Sequence, residues 1–451
     1  MKKFISTLQN IWRIEELRNR IINTLLFLAI FRVGTFLVLP GIDAAMLEET
    51  AKKSEGGLLG LINTFAGGAF LRGSVFALGI MPYISASIVI QLLTLALPFF
   101  QRLQKEGEDG RRKMNQYTRF LTIAITAVQS IGYLVSLKTE NRDAIWGIDM
   151  MGEFLWTFTS IVLITAGTMF ILWLGEKITD KGLGNGVSLI IMVGIIARLP
   201  QALIGEFSFR FNEATGGLVI FLVELVALIF VVMGVIMLVQ GTRRIPIQYA
   251  KRIIGNRQIA GGRNYLPLKI NAAGVMPIIF AQAIMFIPSS IAQLVNSEGF
   301  SNFIKSFLDY RSVGYSVVFA MLIIIFTYFY TAISVNAKTI SDDLKKNNGF
   351  IPGVKPGIHT ENFIDSIMSR ITLPGAFFLA IVAILPTFAG SLLGVNQQFA
   401  QFYGGTSLLI LVGVVLDTLQ QIESYLLMRH YDGLMKTGRI KGRTSGAMAS
   451  A

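Results

Sequence analysis

Ten apolar segments, each about long enough to cross a bilayer, recur along this chain of 451 residues. A membrane-spanning helix needs about 20 predominantly apolar residues. The segments are Ile21–Leu39, Ser74–Phe100, Tyr117–Leu137, Phe154–Gly175, Gly182–Leu199, Gly216–Gly241, Ile270–Leu294, Val313–Val335, Ile371–Gly394 and Gly404–Leu427. The fifth is the least secure, because Lys181 and Arg198 leave sixteen residues between them. The pattern predicts a polytopic helical membrane protein.

The second span lies in an apolar stretch, Gly57–Phe100, that is too long for one crossing and too poor in turns for two. It runs for 44 residues with Arg72 as its single charge. The acidic residues before it and the basic residues after it place its ends on opposite faces of a membrane. We therefore expect a half-helix, Leu58–Gly73, that enters without crossing, followed by a true span, Ser74–Phe100. Irregular backbone at membrane depth needs protein or water around it, so this segment predicts a cavity open to the outside.

Charge agrees with the count of spans and sets their orientation. With both termini in the cytoplasm, the predicted cytoplasmic segments hold 30 of the 40 lysines and arginines, and the outer loops hold 8. Cytoplasmic loops are the ones enriched in these residues. The net charge of +13, in a chain with 53% hydrophobic and 15% charged residues, is therefore largely topological and is weak support for nucleic-acid binding.

Ten spans divide into two halves of five. Because five is odd, a second half built like the first is inserted upside down, and inverted repeats place a pathway between the halves near the midplane. We expect an all-α fold with two inverted five-helix halves around a central pore. The predicted divisions are a cytoplasmic N-terminus (1–20), the first half (21–205), an outer loop with the sixth span (206–241), a basic cytoplasmic loop (242–269), spans seven and eight (270–335), a second cytoplasmic loop (336–369), spans nine and ten (370–427) and a cytoplasmic tail (428–451).

Several kinds of chemistry find no support in the sequence. The chain has no cysteine, and its two histidines, His359 and His430, lie in or beside polar, basic stretches. It has neither a GxxxxGK[ST] phosphate loop nor an HExxH motif, so we expect no enzymatic activity, no metal and no cofactor. Gly182, Gly184 and Gly186 in GLGNG follow no strand and lack the dinucleotide spacing. They favour a flexible start to the fifth span.

Ionisable residues at membrane depth are few and are candidates for function. They are Arg32, Arg72, Glu176, Glu224, Asp417 and Glu423. Most lie near a span end, where snorkelling or pairing between helices explains them, but Arg32 and Arg72 lie at no obvious boundary. Arg72 is expected to anchor the hinge of the half-helix to a nearby carbonyl or acid. The set lacks the series of carboxylates expected of a proton-coupled carrier.

One face of the second span is lined with isoleucine. Ile80, Ile84 and Ile88 follow one another at four-residue spacing, while polar side chains lie elsewhere around the helix. Such a face either packs against lipid and neighbouring helices or forms a hydrophobic constriction that gates by excluding water. The adjacent half-helix favours the constriction.

Two predicted cytoplasmic loops are long. Thr242–Lys269 carries seven basic residues and no acid. Its apolar side chains alternate at Ile245, Ile247 and Tyr249, which predicts a projecting β-hairpin. Because Pro246 has no N–H to donate, we expect its strand to lie at an exposed edge. The second loop, residues 336–369, contains the turn-rich GFIPGVKPG. Anionic lipid would satisfy the charge of either loop, and ribosomal RNA or a soluble partner would also explain their length.

Seven motifs in one order resemble the SecY family of protein translocon subunits, over nearly the whole chain. They are FRVGTFLVLPGID, FALGIMPYISASIVIQLL, KEGEDGRRKMNQYTR, GTMFILWLGEKITDKGLGNGVSLII, YAKR, LPLKINAAGVMP and FYGGTSLLI. The resemblance implies ten helices in an hourglass whose two halves hinge at the outer side. It implies a lateral opening toward lipid, between the second and third spans on one side and the seventh and eighth on the other.

The resemblance also assigns roles to residues. The plug is the half-helix and includes Leu58, Leu61, Ile62, Phe65 and Arg72. The constricting ring is Ile80, Ile84, Ile191, Ile279 and Ile410. The lateral gate includes Ser85, Ser87 and Gln91. Partner docking falls on Arg243, Arg244, Lys251, Arg252, Arg257, Lys345, Lys346 and Lys355.

A protein-conducting channel in the bacterial inner membrane is the function that the resemblance implies. Signal sequences and nascent chains are its substrates, a translating ribosome or the SecA ATPase docks on the two loops, and SecE and SecG complete a heterotrimer. YidC, SecD/SecF and membrane lipids are further partners. One departure is Lys355 in GVKPG, where the family usually has arginine; the two cations are not interchangeable at a bidentate contact. A small-solute transporter and an insertase without a through-path are the alternatives.

Overall fold

A computed structural model describes residues 12, 14–47, 63, 65–212, 217–249, 252–254, 257–259, 263–294, 312–392 and 394–436. Helices dominate it: α1 (Glu15–Gly34), α2 (Met81–Ala96), α3 (Pro98–Lys105), α4 (Glu108–Glu140), α5 (Gly147–Met151), α6 (Glu153–Lys181), α7 (Gly186–Ile196), α8 (Leu199–Asn212), α9 (Gly217–Gln240), α10 (Met276–Leu294), α11 (Val313–Ser334), α12 (Ala337–Lys346), α13 (Ile358–Leu392), α14 (Gln397–Ala400) and α15 (Gly405–Lys436). The strands are β1 (Thr242–Tyr249), β2 (Arg252–Ile254), β3 (Arg257–Ile259), β4 (Arg263–Lys269) and β5 (Gly349–Phe350).

Among the described residues, seven helices are long and apolar enough to cross a membrane. They lie at Glu108–Thr139, Glu153–Lys181, Gly186–Phe211, Gly217–Gln240, Val313–Lys346, Ile358–Gly390 and Gly405–Leu427. Helices α2 and α3, bent by 97°, add an eighth if the pair is one span. The first predicted span, Ile21–Leu39, overlaps α1, and the seventh, Ile270–Leu294, contains α10. The chain is a multi-pass helical membrane protein, and the count of ten spans stays a prediction.

The second span has different bounds from the predicted Ser74–Phe100. Helix α2 begins at Met81, with a proline in its first turn, where the missing N–H has no helical partner to lose. It ends at Ala96 because Leu97 is extended (φ −111°, ψ 123°), the conformation favoured by a residue that precedes proline. Helix α3 then leaves at a sharp angle.

Residues 66–80 form successive turns, so the predicted half-helix Leu58–Gly73 is wrong over its last eight residues. Gly67 and Gly73 have positive φ angles of 65° and 64°, which glycine adopts at little cost and which interrupt a helix. The first part of the predicted half-helix, residues 58–62, lies outside the described residues.

The fifth span is longer than the predicted Gly182–Leu199. Helices α7 and α8 follow one another, and together they form one candidate span, Gly186–Phe211. Arg198 therefore lies within the span, and the residues expected to begin an outer loop, including Glu206 and Arg210, continue as helix. The charges of Glu206 and Arg210 are paired, which lowers the cost of placing them there.

Two hydrophobic cores divide the helices. The larger core is built mainly from α1, α2, α4, α6 and α7, the helices of the first five predicted spans, and also includes Phe280 from α10 and Ile410 from α15. The smaller core is built from α9, α10, α11, α13 and α15. The smaller core lies within the second predicted half. The larger core also contains residues of α13, α14 and the segment after α14, such as Ala389, Phe399 and Tyr403, so the two cores do not divide at the predicted boundary between the halves.

A small sheet joins the two long loops. Strands β1 and β4 pair antiparallel, from Thr242 opposite Lys269 to Gln248 opposite Arg263, as the hairpin prediction required. Strand β5 comes from the second loop and pairs with the last two residues of β1, so the strand order is β4–β1–β5. The predicted edge position of β1 is therefore wrong at its end. Pro246 is tolerated because β5 does not extend to it.

A separate apolar cluster lies beneath this sheet. It contains Ile245, Ile247 and Leu268 from the first loop, and Leu344 and Ile351 from the second. The two loops, residues 242–269 and 336–369, therefore fold as one unit, which we call the basic platform.

Candidate functional site

The five isoleucines that the resemblance assigns to a constriction converge in the larger core. They come from four helices of both halves: Ile80 and Ile84 from the start of α2, Ile191 from α7, Ile279 from α10 and Ile410 from α15. Four of them expose only 2% to 7% of their surface, and the fifth, Ile279, is partly buried against the same cluster. The fold thus brings together side chains that lie up to 330 residues apart in the sequence.

The turns that precede α2 pack into the same cluster. We call residues 65–80 the turn segment; its Phe65, Ala66, Ala69 and Phe70 are buried members of the core that contains the isoleucines. Phe65 is thus the one predicted plug side chain that the structure shows in this core, while Leu58, Leu61 and Ile62 lie outside the described residues.

The turn segment approaches α7 backbone to backbone. A Cβ atom added to Gly194 would lie 2.9 Å from Phe65 O and 3.2 Å from Gly67 N. Real Cβ atoms essentially never lie within 3.0 Å of a backbone oxygen. Only glycine therefore lets α7 and the turn segment pack this closely.

Hydrogen bonds fasten the turn segment to the first half. Val75 N–H donates to Leu37 O in the loop after α1, at 2.8 Å. The Tyr133 hydroxyl of α4 donates to Phe70 O at 2.7 Å, and this bond is buried. The segment is thus held by neighbours on two sides, as well as by apolar packing.

Of the two arginines at membrane depth, Arg72 belongs to the turn segment and Arg32 lies beside it. Arg32 Nη1 donates to Gly67 O at 2.6 Å. The Arg72 guanidinium lies 4.5 Å from the centre of the Phe36 ring, and that of Arg32 lies 5.4 Å from it. Arg32 therefore makes a hydrogen bond to a backbone carbonyl of the kind that was predicted for Arg72. The anchoring role of Arg72 stays a prediction.

The predicted lateral-gate residues lie on α2, which contacts α10 of the other half, as does α4. Ser85 Oγ donates to Met81 O at 3.2 Å, and Gln91 Nε2 lies 3.5 Å from Ser87 Oγ. These bonds give Ser85, Ser87 and Gln91 hydrogen-bond partners within α2 itself.

The GLGNG turn is clamped, so the predicted flexible start of the fifth span is wrong. Leu183 N–H donates to Thr24 Oγ1 of α1 at 3.0 Å, and Gly184 N–H donates to Gln421 Oε1 of α15 at 2.8 Å. A Cβ atom at Gly186 would lie 2.0 Å from a backbone oxygen of α6. The glycines therefore serve close packing between helices of both halves.

The basic platform carries most of the predicted docking residues. Arg243, Arg244, Lys345, Lys346 and Lys355 are exposed on it. Arg252 and Arg257 occupy the short β2–β3 hairpin, and Lys251 lies outside the described residues. The sequence predicted two separate docking loops; the pairing of β5 with β1 makes them one surface.

Sequence reasoning missed several residues that hold this site together. Neither Gly194 nor Tyr133 lies in a motif. Gly194 contacts Gly67, which lies 127 positions earlier in the sequence, and Tyr133 donates to Phe70 O, which lies 63 positions earlier. Glu206 and Arg210 were expected in an outer loop, although their four-residue spacing allows a helical ion pair.

These features define a class: a multi-pass helical membrane protein with a buried apolar cluster, to which both predicted halves contribute, and a packed segment beside it. A model of the SecY family matches residues 74–419. The chain is 41% identical to the protein translocase subunit SecY of Chlamydia trachomatis, covering 97% of this chain and all of that protein, and 42% identical to that of Thermus thermophilus, covering 98% and 99%. The chain belongs to the SecY family.

Solved structures share the fold at low sequence identity. A structure described as a protein conducting channel aligns with a TM-score of 0.62 at 16% identity, covering 94% of this chain and 95% of that one. Another, of a SecY protein whose plug domain is described as stabilising the closed state, has a TM-score of 0.58 at 17% identity, with the same coverage. Sec61 in the canine ribosome-channel complex has a TM-score of 0.59 at 16% identity, again with the same coverage.

Proposed function

We propose that this chain is the channel-forming subunit of a bacterial protein translocon, which passes unfolded secretory proteins across the inner membrane and releases apolar segments sideways into lipid. The observation that carries the proposal is the convergence of Ile80, Ile84, Ile191, Ile279 and Ile410 from both halves in one apolar cluster beside the turn segment. Membership of the SecY family supports it.

The constriction would work by exclusion rather than by binding. Branched aliphatic side chains offer no partner to water or ions, so a narrow ring of them disfavours a water column. The same side chains yield around a moving polypeptide without gripping it. The turn segment would fill the outer side of this ring in the closed state.

Lateral release would occur where α2 and α4 meet α10. Because Ser85, Ser87 and Gln91 form hydrogen bonds within α2, those bonds would survive the separation of α2 from α10. This face therefore suits an opening that an apolar segment can cross.

The basic platform would dock the partner that supplies energy. Five exposed basic side chains on a folded surface suit a ribosome or an acidic face of the SecA ATPase. We propose that both termini are cytoplasmic, that SecE and SecG complete the complex, and that YidC and SecD/SecF join it during insertion and export. The chain itself would act as a passive channel.

Cysteine crosslinking tests the pathway, because the chain has no native cysteine. Ile84→Cys and Ile279→Cys, placed on opposite halves, should form adducts with a stalled secretory precursor. Ile229→Cys, at a position on α9 that is 58% exposed, is the matched control and should form none. Adducts at the control but none at the two ring positions would refute the channel.

Salt-dependent binding tests the platform. Reversing Arg243 and Arg244 to glutamate should weaken binding to ribosomes or SecA, and the loss should be largest at low ionic strength, where exposed charges act most strongly. Unchanged affinity at every salt concentration would exclude this surface as the docking site.

A further inference from the structure

A buried ionic cluster joins α8, α9 and the segment before α14. We call Glu206, Arg210 and Glu224 the charge triad: the first two lie one turn apart on α8, and the third lies on α9. They expose 0%, 5% and 0% of their surfaces. The triad lies where the first predicted half leads into the second, at the end that is predicted to face outward.

Each group of the triad has defined partners. Arg210 Nε donates to Glu206 Oε1 at 2.9 Å, and Arg210 Nη2 donates to Glu224 Oε1. Asn396 N–H donates to the second oxygen, Glu206 Oε2, at 2.8 Å. Glu224 Oε2 is buried and accepts no hydrogen bond from the residues that the structure describes. Asn396 precedes α14, so the triad also ties α8 to the connection between α13 and α15.

The charges of the triad do not balance if both acids are ionised. Two carboxylates and one guanidinium leave one uncompensated negative charge in a site removed from water, and such a charge costs several kcal/mol. The two carboxyl groups also lie close enough to interact with each other. When two carboxylates share a site, one of them normally retains a proton.

Among the residues that the structure describes, none of the elements packed against the triad supplies the missing positive charge. Tyr403 also faces the two acids, but burial and the adjacent Glu224 and Glu206 carboxylates raise the pKa of its phenol, which therefore stays neutral. Helices α7 and α14 contain no ionisable residue, and Glu224 is the only one in α9. The nearest turns of α13 and α15, residues 371–396 and 405–416, contain none either.

We propose that Glu224 retains a proton on Oε2, and that the protonated triad is a latch that fixes α8 against α9 and the Asn396 segment. A proton on Glu224 Oε2 gives this buried oxygen a hydrogen to donate to the adjacent carboxyl group. The triad is then neutral, and each of its oxygens takes part in a hydrogen bond.

The latch has a consequence for gating, which rests on the proposed channel function. Because the closed arrangement holds a proton that two separated carboxylates release at neutral pH, raising the pH disfavours the closed arrangement. Loss of the proton leaves two negative charges on one guanidinium, which weakens the attachment of α9 to α8. Because α8 continues α7, which packs against the turn segment through Gly194, movement of α8 would disturb that contact, and ion leakage through the resting channel should rise with pH.

Infrared difference spectroscopy on the purified full-length protein tests the proton directly. The wild-type protein at neutral pH should show the carbonyl stretch of a protonated carboxyl group, and that band should be absent from both Glu224→Gln and Glu206→Gln. Glutamine keeps the size of a protonated glutamate, so the packing is retained. The control Glu423→Gln, at an exposed position on α15, should keep the band.

Titration of the wild-type protein makes the test independent of the variants. The band should disappear as the pH is raised, with one proton released per molecule. A spectrum of Glu224→Gln that matches Glu423→Gln at every pH, or a wild-type spectrum without the band at neutral pH, would overturn the proton site.

Leakage from proteoliposomes tests the latch separately. Wild-type leakage should rise with pH, by up to about tenfold per unit for one proton, whereas Glu224→Gln should show no dependence. Wild-type leakage that is constant with pH, with the band present, would overturn the latch but keep the proton site. Failure of the ring cysteines to crosslink a precursor, with the band present, would instead refute the channel.

Discussion

Replacing Gly194 with alanine should open the resting channel, because it inserts a methyl group where α7 and the turn segment touch. The new Cβ atom would lie 2.9 Å from Phe65 O and 3.2 Å from Gly67 N. Both contacts are with backbone atoms, which have no rotamer by which to move away. Overpacking of this kind costs about 1–3 kcal/mol. If the cost falls on the closed state alone, the ratio of open to closed channels rises by roughly 5- to 150-fold.

Gly390→Ala is the matched control. It makes the same chemical change within a helix, at a position where an added Cβ atom would meet nothing within 4 Å. Ion conductance of each purified variant in planar bilayers, without a translocating chain, measures the leak. Equal leakage from Gly194→Ala and Gly390→Ala would refute the idea that contact between α7 and the turn segment keeps the channel closed.

Three further changes test other contacts. Arg32→Met removes the charged donor to Gly67 O, a bond of a type worth about 1.5–3 kcal/mol; leakage should rise roughly tenfold or more, and wild-type leakage would contradict this anchor. Tyr133→Phe removes the shorter of the two hydrogen bonds to the buried Phe70 O and leaves the 3.4 Å bond from Gly73 N–H, at a cost of about 0.5–1.5 kcal/mol; the thermal unfolding midpoint should fall, and an unchanged midpoint would show that the bond contributes nothing. Ile247→Ala empties part of the core of the basic platform, at a cost of about 2–5 kcal/mol; limited proteolysis should cut the platform faster, and cleavage at the wild-type rate would contradict its folding as one unit.

The sequence predicted the broad fold well because the hydrophobic effect acts on long segments. Each of the ten apolar runs overlaps a helix, and the alternation of Ile245, Ile247 and Tyr249 correctly predicted strand β1. Boundaries were less predictable because they depend on local backbone choices. Leu97 is extended before Pro98, and Gly67 has a positive φ angle, so a continuous apolar run became turns, a helix and a bend.

The candidate site was predictable only where a motif carried it. The five isoleucines came from resemblance to the family, since an isoleucine in a span looks the same whether it faces lipid, core or pore. Contacts between distant segments left no signal in one sequence. The pairing of β5 with β1 involves only two residues on each strand, which is too short to give a sequence pattern. The backbone carbonyl of Gly67 is chemically the same as any other, so the sequence does not mark it as the acceptor for Arg32.

The shared sheet of the basic platform couples the movements of the two predicted docking loops. Strand β4 leads into α10 through residues 270–275, and α10 packs against α2 and α4. Strand β5 leads into α13, which packs against α11 and α15. A partner that exerts a force on either loop therefore exerts it on both loops. The force reaches α10 and α13 together. Partner binding at the platform would thus act on α10, which contributes Ile279, and on α13, which packs against the helix that contributes Ile410.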